Sequence, residues 1–139
     1  MSSFSATIEL APGRDGPFLA VDAVVDTGAY YTYLSGELVD FLAVVPTGRR
    51  RFGLADGSII ERPIGNVFIR IAGEVQSTIC ILGDRETETL LDAVTLEEFS
   101  LAADPVNERL LPVEKLPLLR AGVGELCPRV LYESIEVVG

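Results

Sequence analysis

Val24-Val25-Asp26-Thr27-Gly28-Ala29 carries one acid to the end of an apolar run and sets it at the head of a small-residue turn. A carboxylate at the end of a buried strand is costly unless it is hydrogen-bonded or has a task. Thr27 and Gly28 suit a tight turn in which backbone N–H groups approach that carboxylate closely. Every other segment bears on what could be done with Asp26.

Working outward toward the N-terminus, residues 4–10 alternate in the manner of a strand with one wet face, and Pro12 to Pro17 form a turn. Phe18 to Val25 is then a second strand that delivers Asp26. Toward the C-terminus, Tyr30, Tyr31 and Tyr33 are expected to serve as core and dimer-wall residues, and Ser35 is placed to cap a short helix over Gly36 to Ala43. A hairpin follows, with arms Arg49 to Ala55 and Ser58 to Ile64 around Asp56-Gly57, a dipeptide that favours a type I′ turn. Strands are expected over Gly65 to Ile71, Glu74 to Leu82 and Leu90-Leu91. Thr95 with Glu98 three residues on fits a capping box for a second short helix, ended by Asp104-Pro105. Further strands are expected over Glu108 to Val113 and Val130 to Val138.

Composition narrows the function. The 139 residues suit one domain, and their 48% apolar content with only 7% aromatic residues predicts an aliphatic, β-rich core. A formal charge of −10 argues against nucleic acid and anionic membrane surfaces as partners. Arg49-Arg50-Arg51 is read as a solvated strand edge within that acidic whole. No apolar run approaches the roughly 18 residues of a membrane span. The start of the chain has no signal-like core, and Cys80 and Cys127 have no zinc-type spacing, so a reducing, cytoplasmic setting is expected. The chain has no histidine, which removes the Ser-His and Cys-His nucleophile systems and every His-containing metal site. Acid–base work would fall first to carboxylates.

With these segments placed, the chain resembles a retropepsin-type aspartic protease, the single-lobed class known from retroviruses and from cellular and prokaryotic relatives. The resemblance spans about residues 4–114 and rests on Asp26-Thr27-Gly28-Ala29 behind two valines, a helix, a hairpin turning at Asp56-Gly57, and Leu90-Leu91 before a second helix. It implies a mainly β, closed antiparallel barrel with one or two short helices, in which each chain supplies half an active site. Only one Asp-Thr-Gly is present, so the implied enzyme is a homodimer that hydrolyses peptides or unfolded proteins without cofactor or metal. Asp26, Thr27 and Gly28 would be the catalytic residues, and Ala29 with the hairpin residues Leu54, Ala55, Asp56, Gly57 and Ser58 would hold substrate. Residues 1–114 would be the protease domain and 115–139 an extension whose Val130 to Val138 strand joins the dimer interface.

Two alternatives stand beside this one. Asp22 and Asp26 fall on one face of a strand and suggest a metal-binding carboxylate pair, but histidine and a third well-spaced acid are missing. In the resembling family a glycine follows the apolar pair; here Asp92 follows Leu90-Leu91. That departure favours a catalytically inactive relative, serving as a dimerisation or peptide-binding module.

Overall fold

Strand alternation in the first segment sends Phe4, Ile8 and Leu10 inward and leaves Ser5 and Thr7 exposed, which fixes β1 over Phe4–Ala11. In this computed structural model, which describes residues 3–84 and 87–114, eight further strands and two helices follow. They are β2 (Leu19–Val25), β3 (Thr32–Leu34), α1 (Gly36–Leu42), β4 (Pro46–Gly53), β5 (Ile59–Ile71), β6 (Glu74–Leu82), β7 (Leu90–Leu91), α2 (Ala93–Glu98), β8 (Leu101–Asp104) and β9 (Arg109–Pro112). The Val130 to Val138 segment and Cys127 lie outside the described residues.

Seven strands form one sheet in the order β1-β2-β7-β3-β6-β5-β4, and β1 also pairs with β5. That extra pairing returns the sheet on itself, so six of the strands make a hydrogen-bonded circuit with β4 attached outside it. The expected closed, mainly β architecture with two short helices is what forms. Most neighbours are antiparallel, with β2–β7 and β3–β6 as parallel exceptions. Hairpin β8–β9 forms a separate two-stranded sheet. The core is aliphatic, with Ile8, Leu10, Leu34, Val67, Ile69, Leu91 and Leu96 all but sealed from solvent. Among the described residues no helix is long and apolar enough to cross a membrane.

Several local expectations are corrected. β5 runs unbroken through Pro63, where two strands had been expected. Pro63 lies opposite Arg49 of β4, and pairing with β6 begins only at Ile64, so the missing N–H falls where the ladder changes partner. β4 begins at Pro46, three residues before the hairpin arm expected from Arg49. The hairpin turn is not type I′. Of its residues only Gly57 has positive φ (+88°), and its N–H donates to Leu54 C=O at 2.9 Å. Asp56 accepts from both the N–H and the hydroxyl of Ser58 (2.9 and 2.6 Å), which spreads the turn over Leu54 to Ser58. Tyr30 is 84% exposed and is not a core residue.

The β1–β5 closure carries a charge pair. Glu9 and Arg70 face each other in register, and the guanidinium donates twice to the carboxylate, at 2.9 and 2.6 Å. Arg70 also lies 4.1 Å from the centre of the Phe18 ring. Hydrogen bonding to Arg70 holds the Glu9 carboxyl below its ordinary value of 4.5. A lowered carboxyl contributes stability that is present above that ordinary value and is lost as pH falls through the folded one. The melting temperature of Glu9→Gln is therefore expected to lie below that of the parent at pH 7, with the gap closing as the pH is taken well below 4.5. A gap of the same size at all pH values would show that the pair does not act through its charge.

Cys80 is fully buried on β6 and donates its thiol to Gly65 C=O at 3.3 Å. Burial pushes the thiol up to about 12. In a Cys127→Ser background, Cys80 should resist alkylation at pH 8 in the native protein and react fully in denaturant. Fast native labelling would contradict the packing.

Candidate active site

Asp26 follows directly on β2, and the sheet holds it by its backbone. Val24 N–H donates to Thr89 C=O (2.8 Å) and Asp26 N–H donates to Leu91 C=O (3.0 Å), so β7 fixes the strand end on which the acid sits. The chain then turns: Ala29 N–H donates to Asp26 C=O at 3.1 Å, and Gly28 N–H donates to Asp26 Oδ1 at 2.9 Å. This is the backbone approach to the carboxylate that the small residues of the turn were expected to allow. Asp26 is half-buried, while Thr27 and Gly28 are exposed.

After the turn the chain enters β3, which was missing from the sequence reading. β3 lies on the other side of β7, with Tyr33 opposite Leu90. The Asp26 turn thus bridges two strands that flank a third. Val24 is also in register with Leu90, so Val24, Leu90 and Tyr33 share one side of the sheet, and strand alternation puts Asp26 on that side as well. There Tyr33 and Leu90, with Thr87 and Glu88, line a largely apolar hollow of about 260 Å³. Gly83 makes this packing possible. Its N–H donates to Leu34 C=O at 2.8 Å, and a β-carbon at residue 83 would run into the Tyr33 ring and that carbonyl.

Asp92 is 1% exposed and has a structural task. It is the N-cap of α2, taking the place expected for Thr95, and accepts from Thr95 N–H at 3.4 Å. Its other oxygen accepts from the Thr32 hydroxyl at 2.8 Å, and the Thr32 and Thr95 hydroxyls are 2.9 Å apart. With Asp92 as acceptor, the chain of donation runs from Thr95 to Thr32 to the carboxylate. Thr32 and Thr95 are themselves buried. Glu98, expected to reach back to the helix start, pairs instead with the Thr78 hydroxyl; burial raises its carboxyl, and the charge of Asp92 adds to that rise. This network joins β3, directly after the Asp26 turn, to the helix that follows β7.

The hairpin residues Leu54, Ala55, Asp56, Gly57 and Ser58 are all exposed. Among the described residues no hydrogen bond joins them to Asp26, Thr27, Gly28 or Ala29. The link between hairpin and turn is aromatic: Phe52 on β4 meets Tyr31 edge-on, with ring centres 5.9 Å apart. Asp22 accepts from the Thr7 hydroxyl at 2.9 Å and is exposed. Among the described residues no group of three or more Cys, Asp or Glu side chains is gathered to hold a metal ion. Thr27 borders a second hollow, of about 230 Å³, made with α2, β8 and Val113.

No family model matches the sequence, and no curated protein matches it. Solved structures do. The solution structure of the simian foamy virus (mac) protease matches with a TM-score of 0.52 at 12% identity, over 68% of this chain and 93% of that one. A retropepsin-like aspartic protease from Rickettsia conorii matches at 0.47 and 21% identity, over 77% and 89%. A Legionella pneumophila protein of unknown function matches at 0.48 and 17% identity, over 80% and 95%. The fold is retropepsin-like, as the order of the sequence segments implied.

Proposed function

On a retropepsin-like fold with one Asp-Thr-Gly turn per chain, we propose an aspartic endopeptidase that works as a homodimer, with Asp26 of each copy meeting across a two-fold axis. The observation that carries this reading is the half-buried Asp26 carboxylate at a strand end, held by Gly28 N–H. Two carboxylates brought close cannot both ionise cheaply and so share one proton, the known behaviour of aspartic proteases. The ionised Asp26 takes a proton from water as that water attacks the peptide carbonyl, and the protonated partner donates to the carbonyl oxygen. Thr27, exposed in the single chain, has its hydroxyl free to bond backbone across the axis. The hairpin turning at Leu54 to Ser58 closes over an extended peptide held as an added strand beside Ala29. The hollow beside Tyr33 and Leu90 takes one of its side chains.

In this reading residues 1–114 are the protease domain, residues 115–139 add a dimer-interface strand, and the buried free thiol of Cys80 suits a reducing, cytoplasmic setting. Asp92 supports a second reading, a catalytically inactive module that dimerises or binds peptides, because it stands where the resembling family keeps glycine. Incubation with casein or a peptide library between about pH 4 and 7, beside sedimentation of the same sample, separates the two. Cleavage by a dimer is expected. A folded dimer that cuts nothing would favour the inactive module, and a strict monomer would remove the shared dyad.

A further inference from the structure

The hairpin has two faces, and the three consecutive arginines of β4 divide between them. In the β4–β5 register Gly48 lies opposite Ile64, Arg50 opposite Arg62 and Phe52 opposite Ile60, so these six residues share one face. It is the inner face. Ile64 is buried, Phe52 packs on Tyr31, and Arg62 reaches the loop after β6. Arg49 and Arg51 belong to the outer face, where Arg49 pairs with Glu61 at 2.6 Å. A run of three arginines reads as one solvated edge, but alternation turns Arg50 toward the face that meets Tyr31.

Two like charges directly opposite each other across a strand pair are unfavourable unless something anionic joins them. Among the described residues Arg62 has one carboxylate partner, Asp84, at 3.1 Å, and that carboxylate is 68% exposed. Its Nη1 donates to the neighbouring Glu61 C=O, and its Nε is buried with no acceptor among the described residues. Arg50 folds back over its own strand to donate to Arg49 C=O, and among the described residues it has no carboxylate partner. A buried guanidinium N–H without an acceptor is rare and costly, and a planar fork of such donors matches a carboxylate. Nothing else in a chain of net charge −10 sets two arginines face to face in this way among its described strand pairs.

We propose that Arg50 and Arg62 form an anion subsite on the inner face of the hairpin, selecting extended peptides that carry an Asp or Glu side chain near the bond to be cut. The inference rests on the peptidase reading for its substrate, but the arginine pair recognises the acid whether or not the peptide is then cleaved. The arginines are specificity residues and take no part in the chemistry at Asp26.

The test uses paired peptides that differ by Glu against Gln at each position flanking the bond. The parent protein is expected to prefer Glu at one position by about tenfold or more in kcat/KM, and to lose much of that preference as ionic strength rises. Arg50→Met should collapse the Glu to Gln ratio toward one, as should Arg62→Met, while Arg62→Lys restores part of it. Arg50→Glu should turn the preference toward Lys at the same position. Cleavage with no acidic preference at any position would overturn the subsite and leave the peptidase reading standing. If nothing is cut, fluorescence anisotropy of the same labelled peptides on the parent protein makes the comparison. Tighter binding of a Glu peptide, lost in Arg50→Met, would support the subsite and count against the peptidase; equal binding of all peptides, or none, would overturn it.

Discussion

Asp92→Ala is expected to lower the unfolding free energy by about 3 kcal/mol, the sum of a lost helix cap and a buried threonine hydroxyl left without its acceptor. The magnitude follows from where the carboxylate is. Thr32 and Asp92 are both almost wholly buried, so no water replaces the lost bond cheaply. The 2.8 Å bond spans sixty residues of sequence and ties β3 to the start of α2. Asp92→Asn should cost less, because an amide oxygen can still accept from Thr32. Asp92→Gly should cost somewhat less than alanine, because glycine is tolerated at a helix N-cap, but it still leaves the Thr32 hydroxyl without its acceptor. Urea denaturation reads all three. A loss below about 1 kcal/mol for Asp92→Ala would mean that the network is not the strut its geometry suggests. The result would bear on activity too: if glycine at residue 92 weakens the protein, the departure from the family pattern is a different way of bracing the same turn.

The second large effect belongs to Asp26→Asn. Under the endopeptidase reading, peptide hydrolysis should fall by about a thousandfold or more, since an amide can neither take a proton from water nor share one with its partner. Melting temperature should move little, because Asn retains an oxygen that can accept from Gly28 N–H at the 2.9 Å position. Mixed dimers make the test sharper. If each dimer needs both acids, titrating the variant into the parent should depress activity below simple dilution, as parent copies are drawn into dead pairs. Residual cleavage equal to that of the parent would remove Asp26 from the mechanism.

Much of this was legible in the residues, for reasons that can be named. β1 follows from two-residue alternation, β2 and β6 from their apolar, β-branched runs, and the cap at Ser35 from its hydroxyl, which accepts from Leu38 N–H at 3.4 Å. The Asp26 turn was legible because small residues directly after an acid leave few other uses for it. What was missed depends on partners distant in sequence. β3 is three residues long, too short for any period to register, and exists because β6 and β7 flank it. Parallel pairing of β2 with β7 leaves no mark on either strand. Asp92 had the residue type of a helix cap, but the Thr95 and Glu98 spacing offered a competing start; burial of Thr95 against Thr32 decides between them. The division of Arg49, Arg50 and Arg51 between two faces needed the register of β4 on β5, which a run of identical residues cannot supply.

The outer strand β4 has a consequence for the protein in solution. Among the described residues it pairs with β5 alone, which leaves a row of backbone donors and acceptors along its other side. Arg49 and Arg51 on one face and Arg50 on the other flank that row, and Pro46 at its start has no N–H to offer. Two copies approaching edge to edge would bring like charges together along the very bonds they need to form. In a chain nearly half apolar, charge at an open edge disfavours growth by strand addition.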